Sequence, residues 1–275
     1  MTVRFGLLGA GRIGKVHAKA IASNPQAKLV AVADAFEKAA KDLSAAYGCE
    51  IRTIDAIEAA GDIDAVIICT PTDTHADLIE RFARAGKAIF CEKPIDLDVK
   101  RVEECLAVVR QTKATLMVGF NRRFDPHFAA VRKAIDDGAI GDVEMVTITS
   151  RDPGAPPADY ITRSGGIFRD MTIHDFDMAR FLLGEDPVAV TAHASVLVDK
   201  KIGELGDYDS VSVILSTASG KQCVISNSRR ATYGYDQRIE VHGSKGMVAA
   251  ENQRAVSIEI ANGNGYTRPP LHHFF

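Results

Sequence analysis

Over its first 120 residues the chain switches repeatedly between two hydrophobic periods, and few folds accept that pattern. Short β-branched runs at Val3–Leu8, Lys28–Ala33, Ile63–Cys69, Ala88–Cys91 and Thr115–Phe120 alternate with alanine- and charge-rich stretches near Lys15–Ser23, Glu37–Tyr47, Thr74–Ala85 and Val99–Thr112. Strands alternating with helices at this spacing form parallel βαβ units. The strand runs are apolar at consecutive positions, as a sheet covered by helices on both faces requires. A Rossmann-type, doubly wound parallel sheet is predicted.

After Asn121 the pattern changes. A helical segment, Phe128–Asp137, stops at Gly138, and a strand-like run follows at Val143–Arg151. A Pro/Gly-rich loop, Asp152–Gly166, leads to a second helical stretch, Ile167–Leu183. From Val188 onward the runs Val188–Val198, Ser210–Thr217, Lys221–Ser228, Arg238–His242, Met247–Ala250 and Val256–Ile260 read as strands. Turn signals at Ser219-Gly220, Gly243–Gly246 and Asn262-Gly263 separate several of them. An α+β domain with a large, mostly antiparallel open sheet is expected, giving two domains, 1–122 and 123–275.

Composition narrows the function. With 33 basic and 36 acidic residues the net charge is −3, and no basic block is present. Such a chain is a poor phosphate-backbone binder, so no nucleic-acid partner is expected. No apolar run approaches the roughly 18 residues of a membrane span, and Met1 runs straight into a strand pattern without a signal peptide. A soluble, cytoplasmic protein is expected. Five widely spaced cysteines without a Cys-x-x-Cys pair argue against a disulfide framework or a zinc site.

The first strand opens directly into Gly9-Ala10-Gly11-Arg12-Ile13-Gly14, a helical stretch follows, and Asp34 lies twenty positions beyond Gly14. A glycine triplet alone says little, but strand, helix and acid together form a dinucleotide fingerprint. Gly9 makes the turn, Gly11 lets backbone approach a pyrophosphate, and Gly14 lets helix and strand pack closely. The helix N-terminus directs free N–H groups at the phosphates. Asp34 is placed to accept the adenosine-ribose hydroxyls and to repel a 2′-phosphate, so NAD is preferred over NADP.

Ligands in such sheets bind beyond the carboxyl ends of the strands. Two further strand ends carry candidates there: Thr70 to His75, and Glu92-Lys93-Pro94. His75 reads equally as a helix-start residue or as a neighbour of the cofactor ribose. Lys93 is held extended by the following proline, although most Lys-Pro pairs are surface turns. In the second half, an α-helix from Ile167 would align Ile167, Met171, His174, Met178 and Leu182 on one stripe, His174 facing inward. Asp170 would then sit one turn before His174 and Asp177 near the next. A histidine on an apolar face is more often a core residue. A carboxylate one turn away favours an acid–base pair, and a metal site of Asp170, His174 and Asp177 is the weaker alternative.

These motifs together resemble the sugar and polyol oxidoreductases of the glucose–fructose oxidoreductase/inositol dehydrogenase type. The resemblance covers the whole chain. It is carried by Gly9–Gly14, Glu92-Lys93-Pro94 and Gly165-Gly166 through Asp170 to His174. The segments 119–125, Ser150–Pro153, Phe168–Asp175 and Tyr233–Arg238 are similar to those of inositol-oxidising bacterial members. The resemblance implies a cofactor edge of Gly9, Gly11, Arg12, Ile13, Gly14, Asp34, Thr70, His75, Glu92 and Lys93, and a catalytic set of Lys93, Asp170 and His174 without a metal. It also implies a cis Lys93–Pro94 peptide, ring-hydroxyl contacts from Arg123, Asp152, Asp177, Tyr233 and Tyr235, and a homotetramer joined through the C-terminal sheets. The implied reaction is NAD-dependent oxidation of a cyclic polyol, myo-inositol at its C2 hydroxyl. Here His174 is the base, Asp170 orients it, and Lys93 acts on the same oxygen. Another inositol isomer or an aldose, a non-catalytic NAD sensor, and a metal-dependent lyase remain as alternatives. Relatives of this type continue with further helices, so a chain ending at His272-His273-Phe274-Phe275 is expected to be incomplete.

Overall fold

The computed structural model describes residues 2–253, 256, 258–263 and 265–268. Backbone contacts divide the chain into two units, Met1–Phe120 and Asn121–Phe275.

The first unit runs β1 (Val3–Leu8), α1 (Arg12–Ser23), β2 (Ala27–Ala33), α2 (Glu37–Tyr47), β3 (Glu50–Ile51), α3 (Ile54–Ala59), β4 (Ala65–Ile68), α4 (His75–Arg84), β5 (Ala88–Cys91), α5 (Val99–Thr112) and β6 (Leu116–Val118). The strands form one parallel sheet in the order β3-β2-β1-β4-β5-β6. The order reverses between β1 and β4, the usual ligand crevice of such sheets. Two apolar clusters flank the sheet, one containing Leu7, Val32 and Leu43, the other Leu8, Ile68, Ile79 and Phe82. This explains the unalternating strands: β4 is buried at all four positions.

The second unit contains α6 (Pro126–Asp136), β7 (Val143–Arg151), α7 (Ala158–Ser164), α8 (Ile173–Leu183), β8 (Pro187–Ser195), α9 (Lys200–Glu204), β9 (Ser210–Thr217), β10 (Gln222–Ser228), β11 (Asp236–Gly243) and β12 (Gly246–Ala250), with a small hairpin of β13 (Ile260–Asn262) and β14 (Gly265–Thr267). Its main sheet runs β12-β11-β7-β10-β9-β8, antiparallel except between β7 and β10. One face of the sheet packs in a cluster with Met178, Leu182 and Leu183 of α8.

Several local expectations are corrected. The stretch read as a loop up to Gly166 contains α7, entered at Pro157 and closed by Gly165 in the left-handed conformation (φ 81°). Asp125 caps α6 by accepting the N–H groups of His127 and Phe128, so with Pro126 inside its first turn the helix begins before Phe128. A short helix, α9, capped by Asp199, follows the strand read as Val188–Val198, which ends at Ser195. The run read as Val256–Ile260 falls partly outside the described residues, and the strand there is Ile260–Asn262. The terminal His272–Phe275 lies outside them altogether.

The largest departure concerns Phe168–Thr172, which forms a π turn before α8 begins. A π turn holds one more residue than an α turn and so rotates everything after it. Met171, Asp175, Met178 and Leu182 now follow one another at helical spacing as buried residues, with His174 only half-buried. Asp175, not His174, occupies the inward place on the stripe.

Candidate active site

In the first unit the strand ends lie level. Ala33, Leu8, Ile68, Cys91 and Val118 are successive register partners across the sheet. The residues that follow them, Asp34, Gly9, Cys69-Thr70, Glu92-Lys93 and Gly119, therefore form one row along the carboxyl edge. The three glycines differ in what a side chain would meet. Gly9 has φ +95°, and a Cβ there would lie 2.6 Å from the Cys69 carbonyl oxygen. A Cβ on Gly14 would come within 2.0 Å of the Gly9 carbonyl oxygen, whereas one on Gly11 would meet open space. The cap position of α1, Gly11, carries no side-chain cap, and no acidic residue occupies the first turn, where Arg12 and Ile13 stand. These residues fit a dinucleotide pyrophosphate: backbone N–H groups exposed at a helix start, and room where a side chain would block approach.

Asp34 has a structural duty. Its two oxygens accept the N–H groups of Ala10 (2.6 Å) and Phe36 (2.7 Å), so it ties the glycine loop to the turn after β2. A carboxylate has about four acceptor sites, which leaves capacity for ribose hydroxyls. His75 is buried, with Nδ1 2.7 Å from the Pro94 carbonyl and Nε2 2.8 Å from that of Thr70. It thus joins the two candidate loops through their backbones instead of reaching out to a ribose. The Thr70 hydroxyl is engaged by Thr74 at 2.6 Å. Glu92 is turned onto His17 of α1 at 2.6 Å, a partner sequence reasoning missed. The Lys93–Pro94 peptide is cis.

In the second unit the site grows out of the sheet alternation. The inward row of β7 is Val146, Ile148 and Ser150; of β10, Cys223, Ile225 and Asn227; of β11, Val241, Ile239 and Gln237. Asn227 and Gln237 both pair in register with Ser150, so the apolar core ends in a polar layer. Onto this layer comes Asp175, fully buried. Arg122 Nη1 donates to its Oδ1, and Asn227 Nδ2 donates to Oδ2 at 2.7 Å. Arg122 also donates to Ser150 Oγ (2.9 Å), which donates to Gln237 (2.9 Å), and Thr172 donates to Asn227 Oδ1 (2.7 Å). Stranding either ion of such a pair costs about 3–5 kcal/mol, so the layer must be complete.

The same inward phase continues two residues further, at Asp152 and Arg229 beyond the ends of β7 and β10. Asp152 donates its backbone N–H to the Ser228 carbonyl (3.0 Å). Burial pushes its carboxyl up to about 6, against the pull of Arg122 and Arg229, and Asp170 and Asp175 add to the rise. Asp170 accepts the Tyr160 hydroxyl on Oδ1 at 2.8 Å and lies 3.4 Å from Arg229 on Oδ2. Neither Tyr160, in the unforeseen α7, nor Arg229 was visible from motif spacing.

Two residues assigned to ring hydroxyls prove to be partners of each other. Arg123 Nε and Nη2 form a fork on Asp177 at 2.7 and 2.6 Å, with the guanidinium 4.8 Å from the Phe181 ring centroid. Asp177 is thereby engaged by Arg123, and among the described residues no group of three His, Cys, Asp or Glu side chains is arranged to hold a metal ion. Tyr233 donates to the buried Asp236 (2.7 Å) and accepts from Arg151 (3.1 Å); Tyr235 stands half-buried nearby.

Residues 3–120 match the family described as "Oxidoreductase family, NAD-binding Rossmann fold" and residues 128–249 the "GFO/IDH/MocA C-terminal domain". The whole chain is 83% identical to the inositol 2-dehydrogenase of Rhizobium meliloti (strain 1021), covering 83% of that protein. The chain belongs to the GFO/IDH/MocA oxidoreductase family. Among solved structures, the myo-inositol dehydrogenase of Corynebacterium glutamicum ATCC 13032 is 46% identical with a TM-score of 0.95, covering 100% of this chain and 83% of that one. A scyllo-inositol dehydrogenase of Lactobacillus casei, solved with NAD(H) and scyllo-inositol, is 30% identical with a TM-score of 0.90, covering 98% and 82%. This GFO/IDH/MocA oxidoreductase is an NAD-binding enzyme, and among its described residues no helix is long and apolar enough to cross a membrane.

Two predictions follow from this geometry. Asp34→Ala should weaken NAD binding by roughly 10–100-fold and narrow the preference over NADP; titrations with both nucleotides check this. For Asp152 the folded carboxyl titrates above its ordinary value, so the folded state holds the extra proton and stability falls as pH rises from about 4 to about 6. Asp152→Asn should therefore melt higher than the parent at pH 7–8, with the difference vanishing below about pH 4; melting curves across that range decide it.

Proposed function

We propose that this enzyme oxidises a cyclic polyol, myo-inositol at its C2 hydroxyl, to the corresponding ketone. NAD, held at the glycine loop and Asp34, would supply the hydride acceptor. His174 takes the hydroxyl proton, and Asp170 orients the ring and stabilises the imidazolium that results. Lys93 donates a hydrogen bond to the developing alkoxide. Asp152 and Tyr235 hold other ring hydroxyls, while Arg123, Asp177 and Tyr233, already engaged with neighbours, shape the wall around them. Assembly as a homotetramer through the second unit's sheets belongs to the same reading. Its support is the exposure of large apolar side chains on the sheet face away from α8, where Ile214, Met145 and Met247 are about half exposed.

The observation that carries this reading is the Asp170-to-His174 segment, set on a buried charged layer in a chain 83% identical to an inositol 2-dehydrogenase. Initial rates of NADH formation with myo-inositol, scyllo-inositol and glucose, each with NAD and NADP, test it. The reading expects myo-inositol with NAD to be the best pair. A better rate with scyllo-inositol would reassign the isomer, and sound NAD binding without turnover of any polyol would favour a sensor. His174→Ala should lower kcat by about 10²–10⁴-fold with NAD affinity nearly unchanged, read by steady-state kinetics beside a binding titration.

A further inference from the structure

Arg229 is among the most deeply buried large side chains of the protein, 1% exposed, and no part of the reaction described so far uses it. It follows β10 in the inward phase, and its backbone N–H is held by the Asp209 carbonyl at 2.8 Å. The guanidinium spans two carboxylates, with Nη1 3.4 Å from Asp170 Oδ2 and Nη2 3.5 Å from Asp207 Oδ2. Among the described residues its Nε has no hydrogen-bond partner. Asp207 in turn accepts the Ile167 N–H at 2.9 Å on Oδ1, and a Cβ on Gly166, at φ +78°, would lie 2.6 Å from that oxygen. A chain of contacts thus runs from the Gly165-Gly166 turn through Asp207 and Arg229 to Asp170.

Arg122 shows what a buried arginine looks like when its role is to complete a core: one guanidinium nitrogen on Asp175, another on Ser150. Arg229 is different. Its contacts are long and one donor is unspent, which is poor design for a staple and adequate for a fixed positive charge. Such a charge is needed, because this end of the sheet gathers four carboxylates, Asp152, Asp170, Asp175 and Asp207, against two guanidiniums. Without Arg229 the neighbouring carboxylates would repel one another, and Asp170 would lose the charge that holds it in place.

We propose that Arg229 is a positioning residue for the reaction: its charge holds and aims the Asp170 carboxylate, and Asp207 fixes Arg229 in turn. This rests on the reading of Asp170 as the partner of His174. Tyr160 from α7 and Arg229 after β10 face Asp170, Asp152 after β7 is close enough to feel its charge, and Arg122 and Asp175 lie in the layer beneath. Burial already lifts the Asp152 carboxyl, and Arg229 is one of the two charges opposing the rise.

The test uses the intact enzyme with NAD and myo-inositol, comparing Arg229→Met, Arg229→Lys, Asp207→Asn and Asp170→Asn. Arg229→Met should lower kcat by roughly 10–100-fold, leave NAD affinity within about twofold, and move the acid limb of kcat/KM upward by roughly one pH unit or more. Arg229→Lys, which keeps charge without the fork, should restore most of the pH profile and part of kcat. Asp207→Asn should shift the limb less. An Arg229→Met enzyme that melts and binds NAD like the parent, with the parent's kcat and acid limb, overturns the proposal. Should Arg229→Met fail to fold, parental kcat and acid limb in both Arg229→Lys and Asp207→Asn overturn it equally. Asp170→Asn separates the two levels: parental turnover there ends the reading of Asp170 itself, whereas a large loss there beside an unaffected Arg229→Met ends only the role of Arg229.

Discussion

A carboxylate with no exposed surface must be neutralised or solvated by protein, and Asp175 sets that demand at the centre of the second unit. The answer is distributed over the chain. Arg122 comes from the start of the unit, Asn227 from β10, and Ser150 and Gln237 from strands on either side of their shared register. Burial raises the Asp175 carboxyl while Arg122 and Asn227 hold it down. The contact between α8 and the sheet is therefore specific: sliding either element by one residue would separate these partners, where an all-apolar contact could repack.

The first unit solves a simpler problem. Its strands end level, so the glycine loop, Asp34 and the loops carrying Thr70 and Lys93 share one edge without special devices. Internal bonds then fix the loops: Asp34 holds the glycine turn, and His75 joins the Thr70 and Pro94 backbones. Several candidate cofactor residues thus have a first duty to the scaffold, and the ligand would meet a surface already organised.

Much of this was legible in the sequence, for identifiable reasons. Period switching marked the parallel sheet, and the glycine spacing with Asp34 marked the dinucleotide edge, because both patterns follow from local backbone chemistry. The helix α7 escaped notice because Pro157 and Gly165 look like loop residues when they are the two ends of a short helix. Arg123 and Asp177 were read as substrate ligands because spacing cannot show that two such residues meet each other. Arg229, Asn227 and Gln237 could have been found: they keep the inward phase of strands whose other inward residues are apolar, and a polar side chain in that phase must have buried partners.

The π turn at Phe168–Thr172 has a bearing on how this segment tolerates change. It amounts to a single-residue insertion into an otherwise ordinary helix, and it sets the angle at which all of α8 meets the sheet. Losing one residue there would turn the following eleven by about 100°, carrying Asp175 out from under Arg122 and offering another side chain to the polar layer. Sequence drift in this stretch is thus constrained in length as well as in composition.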